Sequence, residues 1–187
     1  MFAQPRWMAV RHAINGDEGR LRIDRWLIRC IVHVMNNRAD LELPIDSDAI
    51  GDGQGGMLGL LGVAHALQGR LEAALESVGL SSPKFLVLHR LLEAGGPVSL
   101  SCLAERQKCV RSNITQLVDR LEADGLVERV GDPADRRAVR AAVTPLGADR
   151  FKAATRAIDK VQEQLASRVD PQDRESFLRV LSVIRNP

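Results

Sequence analysis

Between Val110 and Gly147 the apolar period changes from that of a helix to that of a strand, and then back to a helix. Ile114, Leu117, Val118 and Leu121 fall on one face of a helix that runs from about Val110 to Asp124 and is closed by Gly125. Two runs of strand composition follow at 126–131 and 138–144, parted by the charged loop Asp132-Pro133-Ala134-Asp135-Arg136-Arg137. Pro145-Leu146-Gly147 then opens another helix. A helix feeding a hairpin at this spacing leaves few folds open. With two short helices ahead of it, the order is that of a winged helix-turn-helix.

The flanks are helical. Leu58, Leu61, Leu71 and Leu75 set a stripe over 57–78, ended by Gly79. Ser81-Ser82-Pro83 caps and starts the next helix, Lys84–Ala94, which Gly95-Gly96-Pro97 stops. Ser99 opens a short helix through Arg106. A long helix from Pro145 to about Ser167 follows the hairpin. Asp170-Pro171 then caps and starts a last helix with Phe177, Leu178, Leu181 and Ile184 on one face. The expected class is mostly α, with a small β hairpin. Residues 1–56 read as an N-terminal extension: an extra helix within 20–40, then a linker at 44–56 rich in Gly, Asp and Pro. The other reading of that extension is a start further down, at Met35 or Met57.

Composition removes several classes. With 45% hydrophobic and 27% charged residues, the chain is too apolar to stay disordered. No apolar run reaches the length of a membrane span. Met1–Ile14 lacks the apolar stretch of a signal peptide, so a cytoplasmic location is expected. Lys+Arg 26 against Asp+Glu 24 gives a net charge of only +2, which excludes a histone-like binder but not a local patch. The basic residues recur at Arg106–Arg111 and Arg129–Arg140. Three cysteines and four histidines are scattered without metal-ligand spacing, and no motif calls for a cofactor. An enzyme would need Cys109 as nucleophile with a nearby histidine base, yet all four histidines precede the hairpin. No phosphate-binding Gly loop or carboxylate pair replaces that site.

The helix at 110–124 carries the chemistry. Arg111, Ser112, Asn113, Thr115, Gln116 and Arg120 lie off its core stripe. Asn and Gln can bond adenine in pairs, Arg can meet guanine or phosphate, and Ser and Thr serve either. An ordinary amphipathic surface helix has the same polarity, so the loop beside it matters. Arg136 and Arg137 at a hairpin tip suit the negative potential of a minor groove, and Asp135 can hold a guanidinium in place.

From about Gly79 to Gly147 the chain resembles the winged-helix core of the MarR family of bacterial transcriptional regulators. The matching residues are Ser112–Arg129 (SNITQLVDRLEADGLVER), Asp132–Arg137 (DPADRR) and Ala142–Gly147 (AVTPLG). The resemblance implies a MarR-like domain over 57–187. Its DNA-binding lobe is expected at 80–145, with dimerisation helices at 57–79 and 146–187. It further implies an obligate homodimer in which each protomer reads half of a pseudo-palindromic operator on double-stranded DNA, with recognition helices ~34 Å apart. Arg137, with Arg136 beside it, would enter the minor groove. Most members repress, and release DNA on binding a small phenolic or other ligand, or on cysteine oxidation.

Three signals compete. A small aromatic acid would sit in a pocket between the dimer helices and the DNA-binding lobe. Its expected lining is His65, Gln68, Phe85, His89 and Arg129, with Trp26 if the extra helix folds back; the plain alternative is that Phe85 is core. A redox switch would use Cys109, which sits at a helix N-terminus between Lys108 and Arg111, a setting that lowers a thiol pKa. Cys102 and Cys30 are its candidate partners, the alternative being cysteines that merely pack. The chain has no tyrosine and so lacks the arrangement of the organic-hydroperoxide members. Urate sensing is matched at Trp26 and Arg129 but not near Leu86 or Gln116 and Leu117.

Overall fold

A computed structural model describes residues 53–107, 110–132 and 139–185. The order is α1 (Gly53–Glu76), α2 (Ser82–Ala94), β1 (Val98–Ser99), α3 (Leu100–Gln107), α4 (Arg111–Ala123), β2 (Val127–Gly131), β3 (Val139–Val143), α5 (Pro145–Ala166) and α6 (Arg174–Arg185). The helix-turn-helix is α3–α4, and the wing is β2–β3. The extra helix expected within 20–40 lies outside the described residues.

The sheet has the order β1-β3-β2 and is antiparallel throughout. The β2–β3 register runs from Val127 opposite Val143 to Gly131 opposite Val139. Strand β1 was not expected. Its two residues, Val98 opposite Ala141 and Ser99 opposite Arg140, are too few to show alternation. They stitch the start of α3 to the wing.

Three boundaries also differ from the sequence reading. Helix α1 starts at Gly53, inside the stretch read as linker. No proline lies between Gly53 and Met57, and extending an existing helix costs far less than starting one. Ser81 stands at the N-cap of α2 but makes no side-chain cap. Glu72 of α1 does that work: its carboxylate accepts from the Ser82 amide (3.2 Å) and from the Ser82 hydroxyl. A carboxylate is favoured there by the exposed amides and the helix dipole. Asp170 closes a turn instead of starting a helix. Its side chain takes the Gln172 amide (2.9 Å) and its carbonyl takes the Asp173 amide (2.9 Å), so α6 begins only at Arg174.

The core gathers one stripe from each element. Phe85, Val87, Leu88 and Leu91 of α2, Leu103 of α3, Ile114, Val118 and Leu121 of α4, and Phe151, Ala154 and Ile158 of α5 are all buried. The Phe85 and Phe151 rings stack at 4.9 Å between centroids and 12° between planes. Leu75 of α1 joins the same cluster.

Two glycines let this assembly close. Gly125 has φ +70°, and its amide bonds the Glu122 carbonyl while Leu126 bonds that of Leu121, which ends α4 in a Schellman turn. Gly147 sits so near the Leu126 carbonyl that a Cβ there would collide with it. Thr144 ties the same point. Its hydroxyl donates to the Gly125 carbonyl (2.7 Å) and accepts from the Gly147 amide (3.0 Å), and its own amide donates to the Leu126 carbonyl (3.1 Å). Gly147→Ala is expected to lower unfolding stability by about 2–3 kcal/mol, the cost of overpacking against an unyielding group. Urea unfolding should show a shifted midpoint with an unchanged slope; an unshifted midpoint would mean that the junction relaxes freely.

Candidate DNA-reading face and its surroundings

Helix α4 is amphipathic along its whole length. Ile114, Val118 and Leu121 are fully buried and Leu117 is half-buried, so the helix is anchored by one face alone. Arg111, Ser112, Asn113, Gln116 and Arg120 are all exposed on the others. They recur at three- and four-residue spacings, which places their side chains as neighbours along the helix. Thr115 is half-buried beside them. Its hydroxyl is turned back onto the Arg111 carbonyl (3.1 Å), so its hydrogen is committed to the helix. The C-terminal end of α4 is tied to α2 by Lys84 Nζ on Asp124 Oδ2 at 2.6 Å.

The wing root is held by charge. Arg129 of β2 reaches back to α4, where Nη1 bonds Glu122 Oε2 (2.5 Å) and Nη2 bonds Asp119 Oδ1. Glu122 Oε1 also accepts the backbone amide of Arg129 (3.2 Å). Hydrogen bonding to Asp119, and then to Glu122, raises the Arg129 pKa above the ordinary arginine value. On β3, Arg140 Nε bonds Asp132 Oδ2 at 2.6 Å. The loop residues Asp135, Arg136 and Arg137 lie outside the described residues.

Of the residues expected to line an effector pocket, Phe85 and His89 stand one turn apart on α2, both beside the Phe151 ring. Phe85 is fully buried in the stacked pair with Phe151 and is a core residue. Arg129 is engaged by two carboxylates on α4. His65 is exposed on α1 and Gln68 is half-buried there. Trp26 lies outside the described residues.

His89 is the informative member of that set. It is half-buried on α2, with its ring 6.0 Å from that of Phe151, and its Nδ1 is buried without a hydrogen-bond partner. Burial lowers its pKa from 6.5, Glu93 opposes that shift and Arg90 adds to it. Of the cysteines, Cys102 is free and half-buried against the core, with its amide on Ser99 Oγ at 3.3 Å. Cys109 and Cys30 lie outside the described residues. Among the described residues no group of three or more His, Cys, Asp or Glu side chains could hold a metal ion. No described helix is long and apolar enough to cross a membrane.

With this geometry in view, the likenesses to known proteins are specific. The model of the MarR family matches residues 80–139. An uncharacterized HTH-type transcriptional regulator of Bacillus subtilis, YsmB, is 34% identical over 85 residues, which are 46% of this chain and 58% of that one. The chain thus spans under two thirds of that relative's length. The structure of AbsC, a MarR family transcriptional regulator from Streptomyces coelicolor, superposes with a TM-score of 0.57 at 26% identity, over 71% of this chain and 90% of that one. The organohalide-sensing regulator RdhR-CbdbA1625, in its 2,4-dichlorophenol-bound form, shares the fold with a TM-score of 0.57 at 23% identity, over 79% and 88%.

A histidine kept neutral by burial makes stability depend on pH. The unfolded chain takes the proton at the ordinary value and the folded one only lower, so stability falls as pH drops through about 6.5. It levels off below the lowered folded value. Melting curves between pH 5 and 8 should show this decline in the native protein and less of it in His89→Asn. Parallel curves for the two proteins would remove His89 as the cause.

Proposed function

We propose, from the match of the MarR family model to residues 80–139, that this chain is a homodimeric repressor of a pseudo-palindromic operator, released by a small aromatic or phenolic ligand. On this reading it is a DNA-binding transcriptional regulator, as the match to the MarR family model supports. The observation that carries the reading is α4 itself. A helix pinned by three buried side chains presents Arg111, Ser112, Asn113, Gln116 and Arg120 to solvent, which is the chemistry that base edges and phosphates require. The N-terminal turn holds most of them, as a major-groove helix needs.

Dimerisation is assigned to α1, α5 and α6. Leu61 and Val63 of α1, and Phe177, Leu178, Val180 and Val183 of α6, are large apolar side chains left 47–66% exposed. A second copy covering them would remove that surface from water. Two copies related by a two-fold axis then present two α4 helices to successive turns of one face of DNA. Arg137, with Arg136 and its support Asp135, is assigned to the minor groove beside each half-site.

The effector is placed at the junction of α2 and α5. There His89 offers a buried ring nitrogen without a partner beside the Phe151 ring, a setting for an aromatic ligand with a hydroxyl or carboxyl group. The dichlorophenol-bound relative supports that class of ligand.

Mobility shifts on the DNA upstream of the gene for this protein test the reading. Arg137→Ala should weaken binding across all sequences, whereas changing Asn113 or Gln116 should relax preference at one base pair by about 1–3 kcal/mol. Release by phenolic acids, lost in His89→Ala, fits the proposed effector. Release by peroxide that reductant reverses, lost in Cys109→Ser, would move the switch to the thiol. A protein that is monomeric and binds no DNA would overturn the reading.

A further inference from the structure

The outer wing has little core to hold it. Val127 at the base of β2 is buried, but Glu128, Arg129 and Val130 are only half-buried and Gly131 is exposed. On β3, Ala141, Ala142 and Val143 are buried, Arg140 is half-buried and Val139 is 44% exposed. Hydrophobic packing therefore fixes the hairpin at its base and leaves its tilt relative to α4 to polar contacts. Strand β1 supports β3 only at Ala141 and Arg140, so at Gly131 and Val139 the hairpin is two-stranded, which is marginal by itself.

Those contacts converge on one side chain. The Arg129 fork spans Asp119 and Glu122, which stand one turn apart on α4, and Glu122 also holds the Arg129 backbone. Asp119 follows Gln116 by one turn, so the clamp lies just beyond the residues that face solvent for readout. Next along β2, Val130 lies opposite Arg140, and Arg140 is in turn fastened to Asp132, whose side chain is only 10% exposed. The chain of contacts thus runs from the reading helix to the wing without a break.

We propose that Arg129 is a positioning residue for DNA binding: by bridging Asp119 and Glu122 it sets the angle between α4 and the wing, so that helix and hairpin enter neighbouring grooves together. This role rests on the reading of α4 and the hairpin as one DNA-binding surface. The fork geometry is essential to it, since a lysine ammonium is a point charge and cannot hold two carboxylates in a fixed plane. Charge alone would act in the opposite sense. Asp119 and Glu122 are anions on a helix that approaches phosphates, so neutralising them should tighten binding if nothing else were at stake.

The test uses duplexes enriched from a random library by the full-length native protein, with affinities read by fluorescence anisotropy at one salt concentration. Two variants are compared with it, Arg129→Lys and the double variant Asp119→Asn with Glu122→Gln. Both should bind about 10-fold more weakly, the range of coupling within a charged network. Hydroxyl-radical footprints should lose protection at the operator's outer edges before its centre. Their melting temperatures should stay within roughly 2–4 °C of the native protein, because half-exposed ion pairs add little to stability. Native affinity in Arg129→Lys, or tighter binding in the neutralised double variant, would overturn the positioning role while leaving the DNA-binding surface standing. If the native protein enriched no duplex, the DNA-binding reading itself would fall, and the role of Arg129 with it.

Discussion

The contact between Gly147 and the Leu126 carbonyl governs how this molecule is put together. Leu126 follows the turn that ends α4, and Gly147 lies in the first turn of α5. Their close approach, sealed by Thr144 on both the Gly125 carbonyl and the Gly147 amide, brings the end of α4 against the start of the longest helix after it. From that point α5 runs back over α2 and lays Phe151 on Phe85. Without the close approach the hairpin would still form, but α5 would leave it at another angle and the aromatic stack would not meet.

Polar contacts then divide the work with the core. Apolar burial explains why α2, α3, α4 and α5 collapse together, since burial is nondirectional and large. It does not explain their exact settings, which pass to charged groups at the seams. Glu72 caps α2 from α1, Arg150 Nη1 donates to the Val78 carbonyl at 2.7 Å, Lys84 meets Asp124, and Arg129 meets Asp119 and Glu122. Each joins segments that are distant in the chain and none lies in the apolar core. Such pairs add little stability one by one, but their geometry restricts how neighbouring elements can tilt.

Much of this was legible in the chain. The stripe Ile114, Val118 and Leu121 named the buried face of α4, and by exclusion the exposed one, because a helix repeats every 3.6 residues whatever surrounds it. The two strands of the hairpin were legible as two short apolar runs with a charged loop between them. What escaped the sequence were features without a period. Strand β1 has two residues, and the cap on Ser82 comes from Glu72, ten residues away. Asp170 looked like a helix cap and closes a turn, since Asp serves both roles with the same hydrogen bonds. Arg129 looked like a pocket residue, and only the fold shows that α4 supplies its two partners.

The division has a physical basis. The sequence by itself determined the helices and the hairpin of the described residues, the helix-turn-helix order, and which side chains of α4 face solvent, because these depend on local periodicity, turn residues and the cost of burying charge. The tertiary structure alone decided which helix face meets which strand. It turned Arg129 toward Asp119 and Glu122, sank Phe85 into the core, left His89 Nδ1 without a partner, and let Gly147 touch Leu126. Those outcomes depend on contacts between residues distant in the chain, and neither composition nor spacing carries the relative placement of two elements.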